Sequence, residues 1–168
     1  MRPATAAPHP VTGGEEPRRP KVLLACSPGG HLQQMLALES AWGDCDRVWI
    51  SLRAPDSEAL LAGEEVVWAH GPTNRSLTAL VRNLPIVWRT IRRVQPDAVL
   101  STGAALALPL ILLARLTGRR AVYVESFTRT QGLSFTGRLV YPLATSFFVQ
   151  WPKVAEGRRR ARYEGSVL

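Results

Sequence analysis

Residues 22–38 read VLLACSPGGHLQQMLAL and place a strand pattern, a turn and a helix pattern in direct succession. The apolar run at residues 22–26 is typical of a buried strand, and the pair Gly29 and Gly30 ends it. Apolar residues then recur every three or four positions, which predicts a helix over residues 32–41. A strand that leads through a glycine turn directly into a helix is the opening unit of a parallel α/β sheet.

The alternation of strand and helix patterns continues along the rest of the chain. Further strands are predicted at residues 47–52, 65–69, 98–100, 120–124 and 146–150, and helices at residues 57–62, 76–94, 105–116 and 136–141. This order favours a Rossmann-like parallel sheet flanked by helices and joined by right-handed crossovers. In the usual strand order the ligand crevice lies at the carboxyl ends of the strands, between strands one and four. The loops after strands one, four and five are therefore predicted to hold the functional residues.

Length and composition predict one folded domain behind a disordered tail. Residues 1–20 contain five prolines and two glycines, whereas residues 21–168 carry the alternating pattern of the predicted Rossmann-like domain. The two cysteines show neither a disulfide framework nor a zinc spacing, which favours a reducing cytosol. No stretch reaches the roughly 18 apolar residues of a membrane span, so we expect any membrane contact to be peripheral or through a partner.

The chain carries a formal net charge of +8, nearly all of it from arginine. Such an excess predicts an anionic partner, which leaves phosphate, nucleic acid and an anionic membrane surface open. No nucleic-acid-binding motif is present, which disfavours nucleic acid. The basic residues of the predicted helix 76–94 and of the C-terminal stretch either form solvated faces or attract an anionic bilayer. The five tryptophans are expected mainly in the core, with only Trp151 at an edge.

The loop after predicted strand one is a candidate anion site. Gly29 and Gly30 allow a ligand to approach the backbone closely, and the following helix N-terminus offers unpaired N–H groups. His31 comes at the helix start and is expected to face the crevice. A plain strand-to-helix turn with a capping histidine explains the same residues and stays open. The loop lacks the G-x-G-x-x-G spacing, which disfavours an NAD enzyme.

The loops after strands four and five complete the candidate site. Thr102 and Gly103 open a second helix and predict a second anion site, with an ordinary serine or threonine cap as the alternative. Glu125, Ser126 and Arg129 follow strand five. A carboxylate at this position is suited to accept a sugar hydroxyl or its proton. An ion pair between Glu125 and a nearby arginine is the alternative.

Several short stretches, spread over residues 21–168, together match a known family. They are residues 27–32 (SPGGHL), 72–75 (PTNR), 96–97 with 101–104 (PD and STGA), 123–126 with Arg129 (YVES), 134–139 (SFTGRL) and 149–152 (VQWP). On these stretches the chain resembles the PssD-like subunits of exopolysaccharide-synthesis glycosyltransferases. That family is similar to the membrane-anchoring subunit of the eukaryotic two-subunit UDP-GlcNAc transferase of N-glycan assembly.

The order of the loops is also similar to that of the N-terminal domain of MurG, the peptidoglycan GlcNAc transferase. There the corresponding loops face a lipid-linked acceptor. The resemblance implies that the functional residues of these loops correspond in this chain to Gly29, Gly30 and His31, then to Thr102 and Gly103, and then to Glu125. The chain departs from MurG in the second loop, where Ala104 stands at a glycine position.

The resemblance implies the acceptor-binding, N-terminal half of a split GT-B glycosyltransferase. Such an enzyme inverts the configuration at the anomeric carbon of the sugar that it transfers. His31 is the first candidate base because its reference pKa lies near neutrality. Glu125 is the second, either as base or as an acceptor of hydrogen bonds from the sugar. The amides of Gly29, Gly30 and Gly103 are predicted to hold phosphate. The further predicted contacts to acceptor or phosphate are Thr102, Ser126, Arg75 and Arg129.

The same resemblance implies the partners and the location of the chain. A separate donor-binding subunit is expected to bring the UDP-sugar, and the acceptor is expected to be a polyprenyl-diphosphate-linked sugar. No cofactor and no metal is implied. Peripheral attachment at the cytoplasmic face of the bacterial plasma membrane is expected, with no turnover by this chain alone. A non-catalytic scaffold that recruits a catalytic partner remains the main alternative, and a stand-alone sugar-nucleotide epimerase is a weaker one.

Overall fold

The computed structural model describes residues 18–71, 77–104 and 106–167. Seven strands form one sheet in the order β3-β2-β1-β4-β5-β6-β7. Every neighbouring pair is parallel. The strands are β1 Lys21–Ala25, β2 Asp46–Leu52, β3 Val66–Ala69, β4 Ala98–Ser101, β5 Arg120–Val124, β6 Ser146–Phe148 and β7 Ala161–Arg162. This topology confirms the predicted Rossmann-like parallel sheet.

Helices connect the strands in the predicted alternation. They are α1 Gly30–Ala37, α2 Glu39–Trp42, α3 Pro55–Leu60, α4 Leu77–Val94, α5 Ala107–Leu116, α6 Phe135–Val140 and α7 Pro152–Ala155. Among the described residues no helix is long and apolar enough to cross a membrane. Residues 1–17 of the predicted tail lie outside the described residues. Arg18 lies within them and forms an exposed ion pair with Asp97, at 2.8 Å.

One local prediction was wrong, and two short elements, α7 and β7, were not predicted. The single helix predicted over residues 32–41 is two helices, because the backbone leaves the helical conformation at Leu38, with φ −92° and ψ 14°. The seventh strand was not predicted at all. It has only two residues and lies in an arginine-rich stretch, so no alternation of apolar and polar residues signals it.

The sheet is buried on both faces, which explains why β1 reads as a continuous apolar run. Leu23 and Ala25 belong to the larger core cluster, which also includes α4, α5 and α6. Leu24 and the following Cys26 belong to the smaller cluster, which lies under α1 and α2. Successive residues of a strand point to opposite faces, so a central parallel strand needs apolar residues at every position.

Candidate functional site

The reversal of strand order lies between β1 and β4. In the parallel register Ala25 is paired with Ser101, and Ser101 with Tyr123. The strands β1, β4 and β5 therefore end at nearly the same level, and the loops that follow them meet at one edge of the sheet. This arrangement confirms that the switch in strand order lies between β1 and β4 and that the three predicted loops lie at the same edge.

His31 is joined to the loop after β4 by two reciprocal hydrogen bonds. Its ring Nδ1 lies 2.8 Å from the carbonyl oxygen of Thr102, and the Thr102 hydroxyl donates to the carbonyl of His31 at 2.7 Å. Because a carbonyl oxygen only accepts, this geometry assigns the ring proton to Nδ1. The lone pair on Nε2 is therefore the one available for a proton transfer.

The surroundings of His31 keep the imidazole neutral. Burial is the largest influence and lowers the pKa of His31 below its usual value, and the positive charge of Arg129 acts in the same direction. The hydrogen bond to Thr102 and the charge of Glu125 raise this pKa, without cancelling the effect of burial. An imidazole that is neutral near pH 7 and has a free Nε2 is equipped to act as a general base.

Gly103 approaches the histidine ring so closely that no side chain fits there. A Cβ at this position would lie 2.7 Å from Cε1 and 3.0 Å from Nδ1 of His31, and φ is +125°. Its amide already donates a long hydrogen bond, of 3.3 Å, to the Ser101 hydroxyl. The next residue, Ala104, also has a positive φ, of 64°.

Glu125 is 1% exposed and lies in the turn after β5. One carboxylate oxygen accepts hydrogen bonds from the amide and the hydroxyl of Ser134, at 3.0 and 3.1 Å. The other accepts from the amide of Ser126 at 3.0 Å and from the hydroxyl of Tyr123 at 3.4 Å. No ion pair between described residues involves Glu125. Its carboxylate thus accepts hydrogen bonds from β5 and from the loop that follows, and it forms no ion pair with a described arginine.

The helix that follows this loop is shaped around the same carboxylate. The hydroxyl of Ser134 caps α6 by accepting from the amide of Gly137 at 2.9 Å. A Cβ on Gly137 would overlap Oε2 of Glu125. Burial raises the pKa of Tyr123, so its phenol stays a donor. Neither Ser134 nor Gly137 was assigned a role from sequence, although a serine before a short helical pattern is a typical cap signal.

The glycine loop after β1 already holds a carboxylate. The amide of Gly29 donates to Oδ2 of Asp56 at 2.7 Å, and Asp56 stands in the first turn of α3. Gly29 has a φ of 76°, a conformation that favours glycine. It is the N-cap of α1 but provides no side-chain cap, so no side chain of that residue competes for the first-turn amides.

The other predicted residues lie at the rim. The hydroxyl of Ser126 is 2.9 Å from that of Thr128, and the amide of Arg129 donates to the carbonyl of Ser126 at 3.0 Å. The Arg129 side chain is exposed, and its positive charge contributes to lowering the pKa of His31. Gly30 is exposed at the start of α1. Arg75 lies outside the described residues, together with its stretch 72–75.

An apolar and basic surface runs along α4. Val81 and Trp88 are 61% and 38% exposed, seven residues apart on one side of the helix. Arg92 lies over the Trp88 ring, with its guanidinium carbon 5.6 Å from the ring centroid. The expectation that only Trp151 leaves the core was wrong for Trp88, because its position in the helical pattern does not distinguish the margin of the apolar stripe from its centre.

Comparison with known sequences identifies related glycosyltransferase subunits. The family model "Oligosaccharide biosynthesis protein Alg14 like" matches residues 70–167. The UDP-N-acetylglucosamine transferase subunit ALG14 of Eremothecium gossypii is 31% identical over 190 residues, which cover 93% of this chain and 83% of that protein. Human UDP-N-acetylglucosamine transferase subunit ALG14 is 36% identical over 84 residues, 46% of this chain and 39% of the human protein.

Solved structures share the fold at low sequence identity. MurG of Acinetobacter baumannii superposes with a TM-score of 0.71 and 17% identity, over 86% of this chain and 45% of MurG. S. aureus MnaA, solved with UDP, gives a TM-score of 0.67 and 15% identity, over 88% of this chain and 44% of MnaA. The chain thus spans less than half the length of these two structures, and at such identities the likeness shows the fold alone.

Proposed function

Because this chain belongs to the Alg14-like family, we propose that it is the acceptor-binding subunit of a two-subunit, GT-B-type glycosyltransferase. The sugar, GlcNAc or a related hexose, moves from a UDP-sugar to a polyprenyl-diphosphate-linked saccharide in the synthesis of a bacterial polysaccharide. The observation that carries this proposal is the half-buried His31, whose ring proton lies on Nδ1 and whose Nε2 is available at the edge of the sheet where such folds bind ligands.

His31 acts in this reaction as the general base. The hydroxyl oxygen of the acceptor attacks the anomeric carbon while the bond from that carbon to the UDP oxygen breaks. The hydroxyl proton passes to Nε2 of His31, and the electron pair of the broken bond leaves with UDP. Thr102 holds the ring through Nδ1 and thereby keeps Nε2 available.

Glu125 remains the second candidate base, but its contacts favour a different role. Four donors of its own loop and strand already approach its two oxygens. We therefore assign it to holding the loop after β5 in place. Its negative charge also favours the protonated imidazole that forms during transfer.

The acceptor diphosphate lies against the N-terminus of α1 in this proposal. The helix dipole and the first-turn amides of Gly30 and His31 attract an anion there, and Arg129 supplies a positive charge at the rim. The amide of Gly29 is occupied by Asp56, so phosphate has to displace that carboxylate to reach it. Arg75 and the amide of Gly103 remain predicted phosphate contacts.

A separate subunit is needed for the donor. GT-B enzymes place the nucleotide sugar between two Rossmann-like domains and hold it mainly by the second, whereas the described residues form one sheet. We propose residues 149–168 as the docking segment because they follow β6 and include β7, the strand at the edge of the sheet. The exposed face of α4, with Val81, Trp88 and Arg92, is proposed to rest on the cytoplasmic face of an anionic membrane.

The test is sugar transfer by the reconstituted subunit pair with His31→Ala. Loss of a general base lowers kcat by about 100-fold or more. Gln33→Ala is the matched control, because Gln33 is exposed on the same helix. Full turnover by the His31→Ala pair would remove His31 from the chemistry and would favour a scaffold that only recruits the catalytic partner.

A further inference from the structure

Gln34 is a fully buried polar residue of α1 to which the sequence patterns assign no role. Its side-chain Nε2 donates to the carbonyl of Glu125 at 2.8 Å. Its Oε1 accepts from the amide of Phe127 at 3.2 Å. One side-chain amide thus spans both ends of the turn that follows β5, with its donor and its acceptor each engaged.

The same turn is held from two other directions. The carboxylate of Glu125 joins it to the cap of α6, and the indole Nε1 of Trp151, ahead of α7, donates to the carbonyl of Phe127 at 2.6 Å. The ring of Phe127 also lies over the first turn of α1, because a Cβ on Gly30 would be 3.9 Å from it. Of these contacts, only those of Gln34 and Gly30 connect the turn to the helix that carries His31.

Gln34 and His31 are three residues apart, so they lie on the same side of α1. The loop that Gln34 holds carries Ser126 and Arg129, the polar groups predicted to contact the acceptor. The relative placement of these groups and the His31 ring therefore depends on the contact between α1 and the turn. Gln34 makes that contact with two directional hydrogen bonds, the one to Glu125 buried and the one from Phe127 partly buried.

We propose that Gln34 is a positioning residue, which holds the loop after β5 at the distance from His31 that acceptor binding requires. This inference rests on the proposed function for its role in transfer, but not for its role in holding the loop. Without the side-chain amide, the buried carbonyl of Glu125 and the partly buried N–H of Phe127 lose their partners. The turn then moves until water reaches those groups, and Ser126 and Arg129 move with it.

Gln34→Met is the informative variant, because methionine keeps the length of the side chain and removes both hydrogen bonds. Gln33→Met is its matched control, since the neighbouring glutamine is exposed on the same helix. Gln34→Glu is a second variant that keeps the shape. Its neutral carboxyl both donates and accepts like the amide, whereas the ionised form cannot donate to the carbonyl of Glu125.

The first measurement follows the loop without any sugar transfer. Native protein is treated briefly with trypsin, and cleavage after the exposed Arg129 is quantified by mass spectrometry, with the melting temperature as a check of folding. We expect cleavage after Arg129 to accelerate about 10-fold in Gln34→Met, because local opening governs the rate. No change is expected in Gln33→Met. Equal cleavage in the two folded variants overturns the proposal.

The second measurement is the transfer kinetics of the subunit pair. We expect Gln34→Met to raise the acceptor KM and to leave the donor KM unchanged, with kcat/KM for the acceptor about 100-fold lower. A loss of folded protein would instead lower only the apparent kcat. For Gln34→Glu we expect the acceptor KM to approach that of the wild type as the pH falls and the carboxyl becomes neutral. If Gln34→Met fails to fold, this recovery is the deciding result.

The outcomes separate this inference from the proposed function. Faster cleavage with unchanged acceptor kinetics overturns the positioning role and leaves the glycosyltransferase assignment intact. If the wild-type pair transfers no sugar, the assignment fails, and a positioning role in that reaction fails with it. The cleavage rates then still decide whether Gln34 holds the loop.

Discussion

Replacing Gly103 by alanine should disable the site while the fold survives. The added Cβ would lie 2.7 Å from Cε1 of His31, whereas carbon atoms in contact need about 3.5–4.0 Å. The ring therefore has to retreat by about 1 Å. A retreat of that size takes Nδ1 out of hydrogen-bonding range of the Thr102 carbonyl, now 2.8 Å away. The ring then loses the contact that keeps Nε2 available as the base.

The expected effect on transfer follows from this displacement. A misplacement of about 1 Å costs on the order of 100-fold in rate, so kcat/KM of Gly103→Ala should fall by about that factor. Alanine at a φ of +125° also strains the backbone, by roughly 1–3 kcal/mol. The two effects need separate controls, because strain lowers stability wherever it occurs, whereas only the contact with His31 changes the chemistry.

The chain offers both controls. Gly118→Ala introduces a side chain at a positive φ, of 73°, with no atom within 4 Å of the new Cβ, so it tests strain alone. Gly132→Ala has open space and no positive φ. Each variant is assayed with the partner subunit, and its folded fraction is measured by thermal unfolding. Transfer by folded Gly103→Ala within twofold of Gly118→Ala would refute the steric argument.

Four further predictions address other parts of the proposal. Glu125→Gln places an amide NH₂ against donors that face a carboxylate oxygen in the wild type, so the free energy of unfolding should fall by about 1–3 kcal/mol and the rate of sugar transfer should fall. An unchanged melting temperature with unchanged kinetics would contradict this prediction. The pKa of His31 is lowered, so kcat/KM should rise with pH through a midpoint below about 6.5 and be level at neutrality. The free energy of unfolding should decline as the pH falls below about 6.5, because the unfolded chain then binds more protons than the folded one. A midpoint above about 6.5 in the pH profile of kcat/KM would contradict the burial argument. Co-sedimentation with anionic vesicles should be lost at high salt and weakened by Arg92→Glu, and equal binding to neutral vesicles would exclude an electrostatic attachment. Calorimetry should detect little UDP-sugar binding by this chain alone, and turnover without the partner would refute the split-enzyme proposal.

The strand and helix pattern was predictable because each element carries a local signal. β1 is apolar at every position after Lys21, since both faces of the sheet are covered, and β5 was predicted with the bounds that the structure has. Parallel topology then places the loops after β1, β4 and β5 at one edge. This is why the sequence itself indicates His31, Gly103 and Glu125 as candidate site residues. β7 was missed because two residues in a basic stretch form no pattern.

What the chain alone determined is therefore the order of its elements and the set of loops that meet at the switch in strand order. The tertiary structure decided which atoms in those loops touch. His31 and Thr102 are 71 residues apart, and Gln34 and Glu125 are 91 apart. Periodicity reports only which way a residue faces within its own element, so it does not show which distant groups Gln34 contacts. The burial of Glu125 and the fixed tautomer of His31 arise from packing between distant segments, whose hydrogen bonds no local pattern encodes.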